Sequence, residues 1–250
     1  MNAENRHVHP DRGALATACA QELLAVAGRA VAERGRADLV LTGGSTGIAV
    51  VAALPECPAV GDIDFSRVHF WFGDERWVPT AHEDRNDQQA MDAGLAELMR
   101  LTARTPRALR APNVHRFPAR SGSADLDTAA RQAAAVLTPT PAFDVVLLGM
   151  GPDAHVASLF PGHPALDAAG MPVVAVRQSP KPPSERLSLT LEAIGAADQV
   201  WFTVAGADKA DAVASVVAAR EAGRRDPALP ASLVDGRRRT VWWLDEAAAG

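Results

Sequence analysis

Short, almost wholly apolar segments alternate along the chain with longer stretches in which apolar residues recur at helical spacing. Apolar segments of this kind are typical of strands that are buried on both faces of a parallel sheet. We predict strands at residues 38–42, 68–72, 143–148, 172–176, 186–191, 199–204 and 240–244. Helices are expected at residues 14–33, 47–54, 87–101, 124–137 and 207–219. The alternation predicts a doubly wound α/β fold, with a mostly parallel central sheet and helices on both faces.

The chain has 250 residues, which is long enough for one sizeable core. No internal repeat, low-complexity tract or change of composition marks a domain boundary, so we predict a single domain over residues 11–246. Residues 1–10 are polar and lack the apolar region of a signal peptide, so we expect an N-terminal tail there.

Composition argues against several classes of protein. The formal net charge is −5 and no basic stripe is present, so we expect no nucleic-acid partner. No uninterrupted apolar run approaches the roughly 18–20 residues of a membrane span, so no membrane partner is expected either. Cys19 and Cys57 form no CxxC pattern, and we expect reduced packing residues in a cytoplasmic protein without structural zinc. A monomer or a weak homo-oligomer that binds a small molecule fits this composition.

Three polar loops follow predicted strands, at residues 43–47, 73–86 and 149–162. Ligands of open parallel sheets bind beyond the carboxyl ends of the strands. We therefore expect these loops to meet at one edge of the sheet and to form the functional site.

The first loop places glycines and hydroxyl side chains between a strand and a helix. Its residues are Gly43, Gly44, Ser45 and Thr46. Glycines let the backbone approach an anion, and a helix N-terminus offers free N–H groups, so this loop is a candidate phosphate site. The alternative is an ordinary turn in which Ser or Thr caps the helix. The segment matches neither the Walker loop nor the dinucleotide fingerprint, so ATP and NAD are poorly supported.

The second loop is dense in charged groups. Arg76 can bind a phosphate through two hydrogen bonds, and Asp74 could orient it or act as a base. For Glu75, Glu83 and Arg85 we expect a solvated loop in which acidic and basic side chains pair with one another.

The third loop contains the candidate general base. His155 titrates near neutral pH, and Asp153 two residues earlier could orient its imidazole. A structural histidine is the alternative. Ser158 lacks the G-x-S-x-G pattern, so a serine hydrolase is not indicated.

Lysine is rare in this chain, since Lys181 and Lys209 are its only two. Lys209 follows a predicted strand and opens a helix, where a cation opposes the helix dipole. A nearby anion would remove that conflict, so Lys209 is a second phosphate candidate. The alternative is a lysine that faces solvent.

The motifs, taken in order, resemble the 6-phosphogluconolactonases of the oxidative pentose phosphate pathway, within the glucosamine-6-phosphate isomerase/6-phosphogluconolactonase superfamily. The resemblance covers residues 39–244 and rests on Gly73-Asp-Glu-Arg-Trp-Val-Pro79 with His82, Asp84 and Asn86, on Leu148-Gly-Met-Gly-Pro-Asp-Ala-His-Val-Ala-Ser-Leu-Phe-Pro-Gly162, on Lys181-Pro-Pro with Arg186-Leu-Ser-Leu-Thr190, and on Gly206-x-x-Lys209.

This resemblance implies a fold shared with glucosamine-6-phosphate deaminases and ribose-phosphate isomerases. It implies hydrolysis of 6-phosphogluconolactone to 6-phosphogluconate without a metal or an organic cofactor. It also implies that His155 is the general base and Asp153 its neighbouring acid. The residues expected to bind substrate are Gly43, Gly44, Ser45, Thr46, Asp74, Arg76, Arg186 and Lys209. For the oxyanion of the reaction, backbone N–H groups of residues 149–155 are the candidate donors.

Two positions depart from the family pattern. Ala154 stands between the Asp and His where the family usually has Gly, and a positive φ there would strain it. Arg85 stands where the family usually has Ser, so no hydroxyl role is expected at that position.

Two rival functions remain open. An isomerase or deaminase acting on a hexosamine phosphate shares the fold, but that pattern has a Glu five residues after the histidine, and here the residue is Phe160. A non-catalytic sugar-phosphate sensor is the second rival. Related sensors carry a DNA-binding module, for which this chain has no spare segment or basic helix.

Overall fold

A six-stranded parallel sheet forms the centre of the molecule. The computed structural model describes residues 5–137 and 143–250. The strands of this sheet are β1 (Asn5–His9), β2 (Ala37–Leu41), β3 (Val68–Phe72), β5 (Val145–Leu148), β8 (Gln199–Val204) and β9 (Arg239–Asp245). Their order is β1-β9-β8-β5-β2-β3, and every pair is parallel. All residues of β2 and β5 are buried, so both faces of the sheet are covered. The predicted α/β fold is confirmed.

The α-helices of the described chain lie between and after the strands. They are α1 (Arg12–Arg34), α2 (Gly44–Ala53), α3 (Asn86–Ala90), α4 (Ala96–Thr102), α5 (Leu126–Leu137), α6 (Leu191–Gly195), α7 (Ala210–Glu221) and α8 (Glu246–Ala249). The single helix predicted over residues 87–101 is α3 and α4 joined by a π-helical segment, Met91–Leu95.

Helix α1 is the longest helix, and its sequence explains both its start and its position. The Asp11 carboxylate caps it by accepting a hydrogen bond from the N–H of Ala14 at 2.9 Å. By length and composition α1 could cross a membrane. Here Leu15, Cys19 and Leu23 line a fully buried face that packs in the hydrophobic core, as in a core helix of a globular domain.

A second, antiparallel sheet lies beside the first. Its strands are β4 (Asp74–Arg76), β6 (Val173–Val176) and β7 (Arg186–Leu189), in the order β4-β7-β6. The expected loop over residues 73–86 therefore begins with a strand. The sequence did not predict this strand, because its residues are charged and give no hydrophobic pattern. Their side chains are buried or half-buried and bind distant partners in the protein rather than water. The pairing sets Arg76 opposite Arg186.

The expected tail over residues 1–10 is wrong for Asn5–His9, which form β1 at the edge of the central sheet. Residues 1–4 lie outside the described residues. β1 pairs with β9 in the register His7 to Trp243, and the two rings stack with centroids 4.6 Å apart. An edge strand is only half buried, so a polar sequence can form it, and hydrophobicity alone gives no signal.

The topology creates a crevice between β2 and β5. The chain places β3 on one side of β2 and later returns to place β5 on its other side. Loops that leave neighbouring strands in opposite directions leave a gap at the carboxyl ends, where α/β proteins bind ligands.

Candidate active site

The crevice opens into a cleft of about 290 Å³. All three predicted loops reach it, together with the loop before β7 and the start of α7. Its walls are Thr42, Gly43, Gly44, Asp74, Arg76, Asn86, Gly149, Met150, Gly151, His155, Ala157, Lys181, Pro182, Arg186 and Lys209. The expected convergence of the three loops is confirmed.

The glycine loop contributes backbone to the cleft. Gly43 is the N-cap of α2 and has no side-chain capping bond. A Cβ on Gly43 would lie 1.9 Å from the amide oxygen of Asn86, so only glycine allows Asn86 to approach this closely. Ser45 is exposed and Thr46 is buried, and neither belongs to the described walls. The loop therefore presents main chain rather than hydroxyls to the cleft.

Arg76 enters the cleft from β4 and is oriented by Asn86. Its Nη1 donates to the carbonyl of Asp84 and to Oδ1 of Asn86, both at 2.7 Å. Its Nε is buried and has no hydrogen-bond partner within the described chain. Guanidinium carries five N–H donors, so donors remain for an anionic ligand.

A buried ionic cluster lies beneath Arg76, and this corrects the expected solvated loop. Glu75 and Arg85 are 0% and 2% exposed. Oε1 of Glu75 accepts from the N–H groups of Arg76 and Asn86, at 2.8 and 2.7 Å. Arg85 binds the carboxylate of Asp87 through two nitrogens, at 2.9 and 2.7 Å. Glu83 is exposed, as expected.

This cluster has a measurable electrostatic consequence. Burial raises the pKa of Glu75 to about 7, although the nearby guanidinium of Arg85 acts in the opposite direction. Arg85, which departs from the family pattern, thus supplies the counter-charge for the buried carboxylate of Glu75. That carboxylate in turn binds the N–H groups of Arg76 and of the first turn of α3.

Asp74 connects the arginine arm to the histidine loop. Its Oδ1 accepts from Nδ2 of Asn86 at 3.1 Å, and its Oδ2 accepts from the hydroxyl of Ser158 at 2.6 Å. Asp74 is 6% exposed and Ser158 is fully buried, so the bonds are shielded from water. The chain Arg76–Asn86–Asp74–Ser158 fixes two distant loops relative to each other.

His155 and Asp153 form a hydrogen-bonded pair. Nδ1 of His155 lies 2.5 Å from Oδ1 of Asp153, and the imidazole packs on Phe160 with ring centroids 4.6 Å apart. Burial lowers the pKa of His155 below its ordinary value, against the effect of the hydrogen bond to Asp153. Burial alone would raise the pKa of Asp153, but the bond to His155 brings it below the ordinary value. The imidazole is therefore neutral at neutral pH.

The backbone between the two residues is strained. Ala154 has a φ of 60°, so the positive φ anticipated from the sequence is present. Gly151 lies directly under the pair, and a Cβ there would meet the His155 ring at 2.2 Å and Asp153 Oδ1 at 2.3 Å. Glycine at 151 is thus required for the observed position of both side chains.

Arg186 lines the cleft from β7, and most of its guanidinium is bonded within the protein. Nε donates to the carbonyl of Pro183 at 3.1 Å, and Nη2 donates to the carbonyls of Lys181 and Pro182 at 2.9 and 3.3 Å. Its Cζ lies 5.7 Å from the ring centre of Phe160. Arg186 thereby anchors the loop that carries Lys181.

Lys209 follows β8 and is the N-cap residue of α7. Its Nζ lies 3.8 Å from Oδ2 of Asp208, and its side chain is 23% exposed.

No group of three or more His, Cys, Asp or Glu side chains in the described part of the chain could hold a metal ion.

The structure brings six of the eight expected substrate residues to the cleft, together with His155. They are Gly43, Gly44, Asp74, Arg76, Arg186 and Lys209. Asp153 lies beside His155, away from the walls. Their chemical roles stay predictions.

Sequence reasoning missed four contributors. Asn86 and Lys181 entered the sequence analysis without a specific contact in the site, and Gly151 and Ser158 were not expected to contribute. For Lys181 a signal existed, because lysine occurs only twice in the chain. Ser158 and Gly151 act through contacts that depend on the folded path of the loop.

Comparison with known proteins agrees with this geometry. Residues 10–243 match the family described as glucosamine-6-phosphate isomerases/6-phosphogluconolactonase. A 6-phosphogluconolactonase of Streptomyces coelicolor is 42% identical over 253 residues, covering 97% of this chain and 92% of the relative.

Solved structures share the fold. A 6-phosphogluconolactonase of Trypanosoma brucei has a TM-score of 0.84 at 24% identity, covering 100% of this chain and 98% of that one. A monomeric glucosamine-6-phosphate deaminase has a TM-score of 0.76 at 17% identity, covering 98% of each chain. At these identities the likeness concerns the fold alone. With the family match over almost its whole length, the chain belongs to the glucosamine-6-phosphate isomerase/6-phosphogluconolactonase family.

Proposed function

We propose that this chain hydrolyses 6-phospho-D-glucono-1,5-lactone to 6-phosphogluconate, as the names of its 6-phosphogluconolactonase relatives suggest. The observation that carries the proposal is the juxtaposition of a neutral, carboxylate-bound histidine with the cations Arg76 and Lys209 in one cleft. A sugar-phosphate lactone needs both an activated water at its carbonyl and a counter-charge at its phosphate.

In this mechanism the carboxylate of Asp153 accepts a hydrogen bond from Nδ1–H of His155, which leaves Nε2 as the base. Nε2 removes a proton from water as the water oxygen attacks C1. The bond between C1 and the ring oxygen then breaks, and the imidazolium returns the proton to that oxygen. A general base of this kind contributes about 10²–10⁴-fold to the rate.

Arg76 and Lys209 hold the phosphate beside the main chain of Gly43 and Gly44. The phosphate does not react, so these contacts act equally in the ground and transition states. Arg76→Ala and Lys209→Ala should therefore raise KM by about tenfold or more and leave kcat nearly unchanged. An unchanged KM in both variants would contradict the phosphate assignment.

A deaminase or isomerase reaction is the rival within the family. Phe160 stands where that pattern has an acid, and it is 2% exposed and packed against His155. No carboxylate is available at that position for acid–base chemistry. We expect no ammonia release from glucosamine 6-phosphate.

The test of function is turnover of freshly prepared lactone by the purified protein, with the spontaneous hydrolysis rate subtracted. Acid release well above background supports the proposal. Binding without turnover would favour the sensor, and ammonia from glucosamine 6-phosphate would favour the deaminase.

We also propose a cytoplasmic, monomeric or weakly self-associating enzyme without nucleic-acid or membrane partners. Support comes from Cys19 and Cys57, which are both free and buried. Cell fractionation that recovers the activity outside the cytoplasm, or light scattering that finds a stable large oligomer, would contradict this.

A further inference from the structure

The loop that precedes β7 carries Lys181 to the wall of the cleft, and its backbone is held by several hydrogen bonds. The carbonyl of Lys181 accepts from the hydroxyl of Ser179 and from Nη2 of Arg186, both at 2.9 Å. The N–H of Ser179 donates to the carbonyl of Ser184 at 3.0 Å and closes the loop. The position from which the Lys181 side chain extends is therefore fixed.

Within residues 5–137 and 143–250, the ammonium of Lys181 is free of partners. It makes no hydrogen bond or ion pair with any residue in the described ranges, whereas Lys209 lies near Asp208. It also lies within electrostatic range of the histidine pair. Burial lowers the pKa of His155, and the positive charge of Lys181 lowers it further.

Lys181 shares the cleft with the histidine pair. Lys181 and His155 both line it, and the positive charge of Lys181 lowers the pKa of His155 and of Asp153. Arg76 is bonded instead to Asn86, which lies against Gly43 of the first loop. Lys181 is therefore the cation placed to act where His155 would activate water.

Attack on a lactone carbonyl places a negative charge on its oxygen, which needs a donor. Three of the expected donors, N–H groups of the histidine loop, are engaged within the protein. Gly149 donates to Oγ1 of Thr42 at 3.3 Å, Gly151 to the carbonyl of His155 at 3.1 Å, and Ala154 to the carbonyl of Gly151 at 2.9 Å. A free cation beside His155 can compensate this charge instead.

We propose that Lys181 is a further catalytic residue, whose ammonium stabilises the carbonyl oxyanion, and that Arg186 is a positioning residue that holds its loop. This inference rests on the lactonase function proposed above. As water attacks C1 and its proton passes to His155, the carbonyl π electrons move to the oxygen facing Lys181. They return when the bond from C1 to the ring oxygen breaks, and the ring oxygen takes the proton from His155. The carboxylic acid at C1 then loses its proton to solvent, and the resulting carboxylate lies against the same ammonium.

The two lysines allow a matched comparison. Lys181→Met removes the charge and keeps the length, and we expect kcat to fall about 100-fold while KM changes less than about threefold. Lys181→Arg should recover at least about a tenth of the wild-type kcat, because it restores the charge. Lys209→Met should raise KM instead. Arg104→Met removes an exposed cation that is not among the walls of the cleft, so it should change neither kcat nor KM.

Binding provides a readout that a purely structural role would not move. 6-Phosphogluconate carries both the phosphate and the new carboxylate, whereas glucose 6-phosphate carries the phosphate alone. Lys181→Met should weaken 6-phosphogluconate about tenfold and leave glucose 6-phosphate within about twofold. Equal weakening of both ligands would place Lys181 at the phosphate and overturn the inference.

Arg186→Lys tests the positioning role, because it keeps the charge and loses the carbonyl bonds. We expect kcat to fall about tenfold with the affinity for glucose 6-phosphate unchanged. A weaker affinity for glucose 6-phosphate would instead assign Arg186 to the phosphate.

Failure of this inference is distinguishable from failure of the proposed function. If the wild-type protein hydrolyses the lactone and Lys181→Met keeps kcat within about twofold, the role of Lys181 is wrong and the function stands. If the wild-type protein does not hydrolyse the lactone, both are wrong.

Discussion

The imidazole Nδ1 of His155 lies 2.5 Å from the carboxylate Oδ1 of Asp153. A carboxylate can only accept, so Nδ1 carries the proton and Nε2 has the lone pair that a base requires. Only one residue separates the pair in sequence, so the backbone must turn sharply at Ala154. The position of this base therefore depends on local backbone geometry as much as on the side chains themselves.

The pH dependence of kcat/KM should report His155. Burial lowers its pKa below 6.5, so activity should be full at neutral pH and fall as the pH drops through that lowered pKa. Asp153→Asn removes a group that raises this pKa, so the acid limb should move to lower pH, and kcat should fall about 10²-fold or more as the tautomer is lost. A midpoint above 6.5 in the wild-type protein, measured from initial rates, would contradict the burial argument.

Gly151→Ala should displace the histidine pair. The added Cβ would lie 2.2 Å from the His155 ring, so the ring must move, and kcat should fall about 10²-fold. Gly61→Ala is the matched control, because a Cβ there meets nothing within 4 Å and the φ is not positive. Steady-state rates of the two variants decide the matter. Equal activity would show that the pair tolerates the methyl group.

Ala154→Gly should stabilise the protein. A left-handed alanine costs roughly 1–2 kcal/mol relative to glycine, and glycine loses about 0.5–1 kcal/mol more backbone entropy on folding. The expected net gain is therefore about 0.5–1 kcal/mol in the free energy of unfolding by urea. Ala214→Gly, at an exposed position of α7, should instead lose about 1 kcal/mol. Equal losses in both variants would contradict strain at Ala154.

Glu75 should make stability depend on pH in an unusual direction. Its pKa is raised to about 7 in the folded protein from an ordinary 4.5, so the folded state binds the extra proton. Its contribution is fully present below pH 4.5 and is lost as the pH rises through 7. Between pH 5 and pH 8 the wild-type protein should lose stability relative to Glu75→Gln, as measured by urea unfolding at each pH. A constant difference would show that Glu75 does not titrate there.

Much of the central sheet could be predicted because its strands are apolar. β2, β3, β5, β8 and β9 are buried, and their runs of hydrophobic residues are visible in the sequence. Because their carboxyl ends must share one edge, the meeting of three loops followed from topology alone. β1 was not predicted because it is a half-buried edge strand with a polar sequence. β4 was not predicted because the side chains that it buries are charged.

The position of a residue in the cleft could be predicted where it depends on that residue's own loop, as for His155 and Arg76. It was not predictable where the role depends on a distant partner. Glu75 and Arg85 can be buried because their opposite charges form an ion pair. Ser158 donates a hydrogen bond to Asp74, which lies 84 residues away in sequence. Lys181 reaches the cleft through the antiparallel sheet, whose pairing no local pattern specifies.

The most direct measurement is lactone turnover by His155→Gln after subtraction of the spontaneous rate. The variant keeps Arg76 and Lys209, so we predict that kcat falls at least about 100-fold while KM and the circular dichroism spectrum stay near those of the wild-type protein. A correctly folded His155→Gln variant with wild-type kcat would contradict the central claim that this imidazole activates the water.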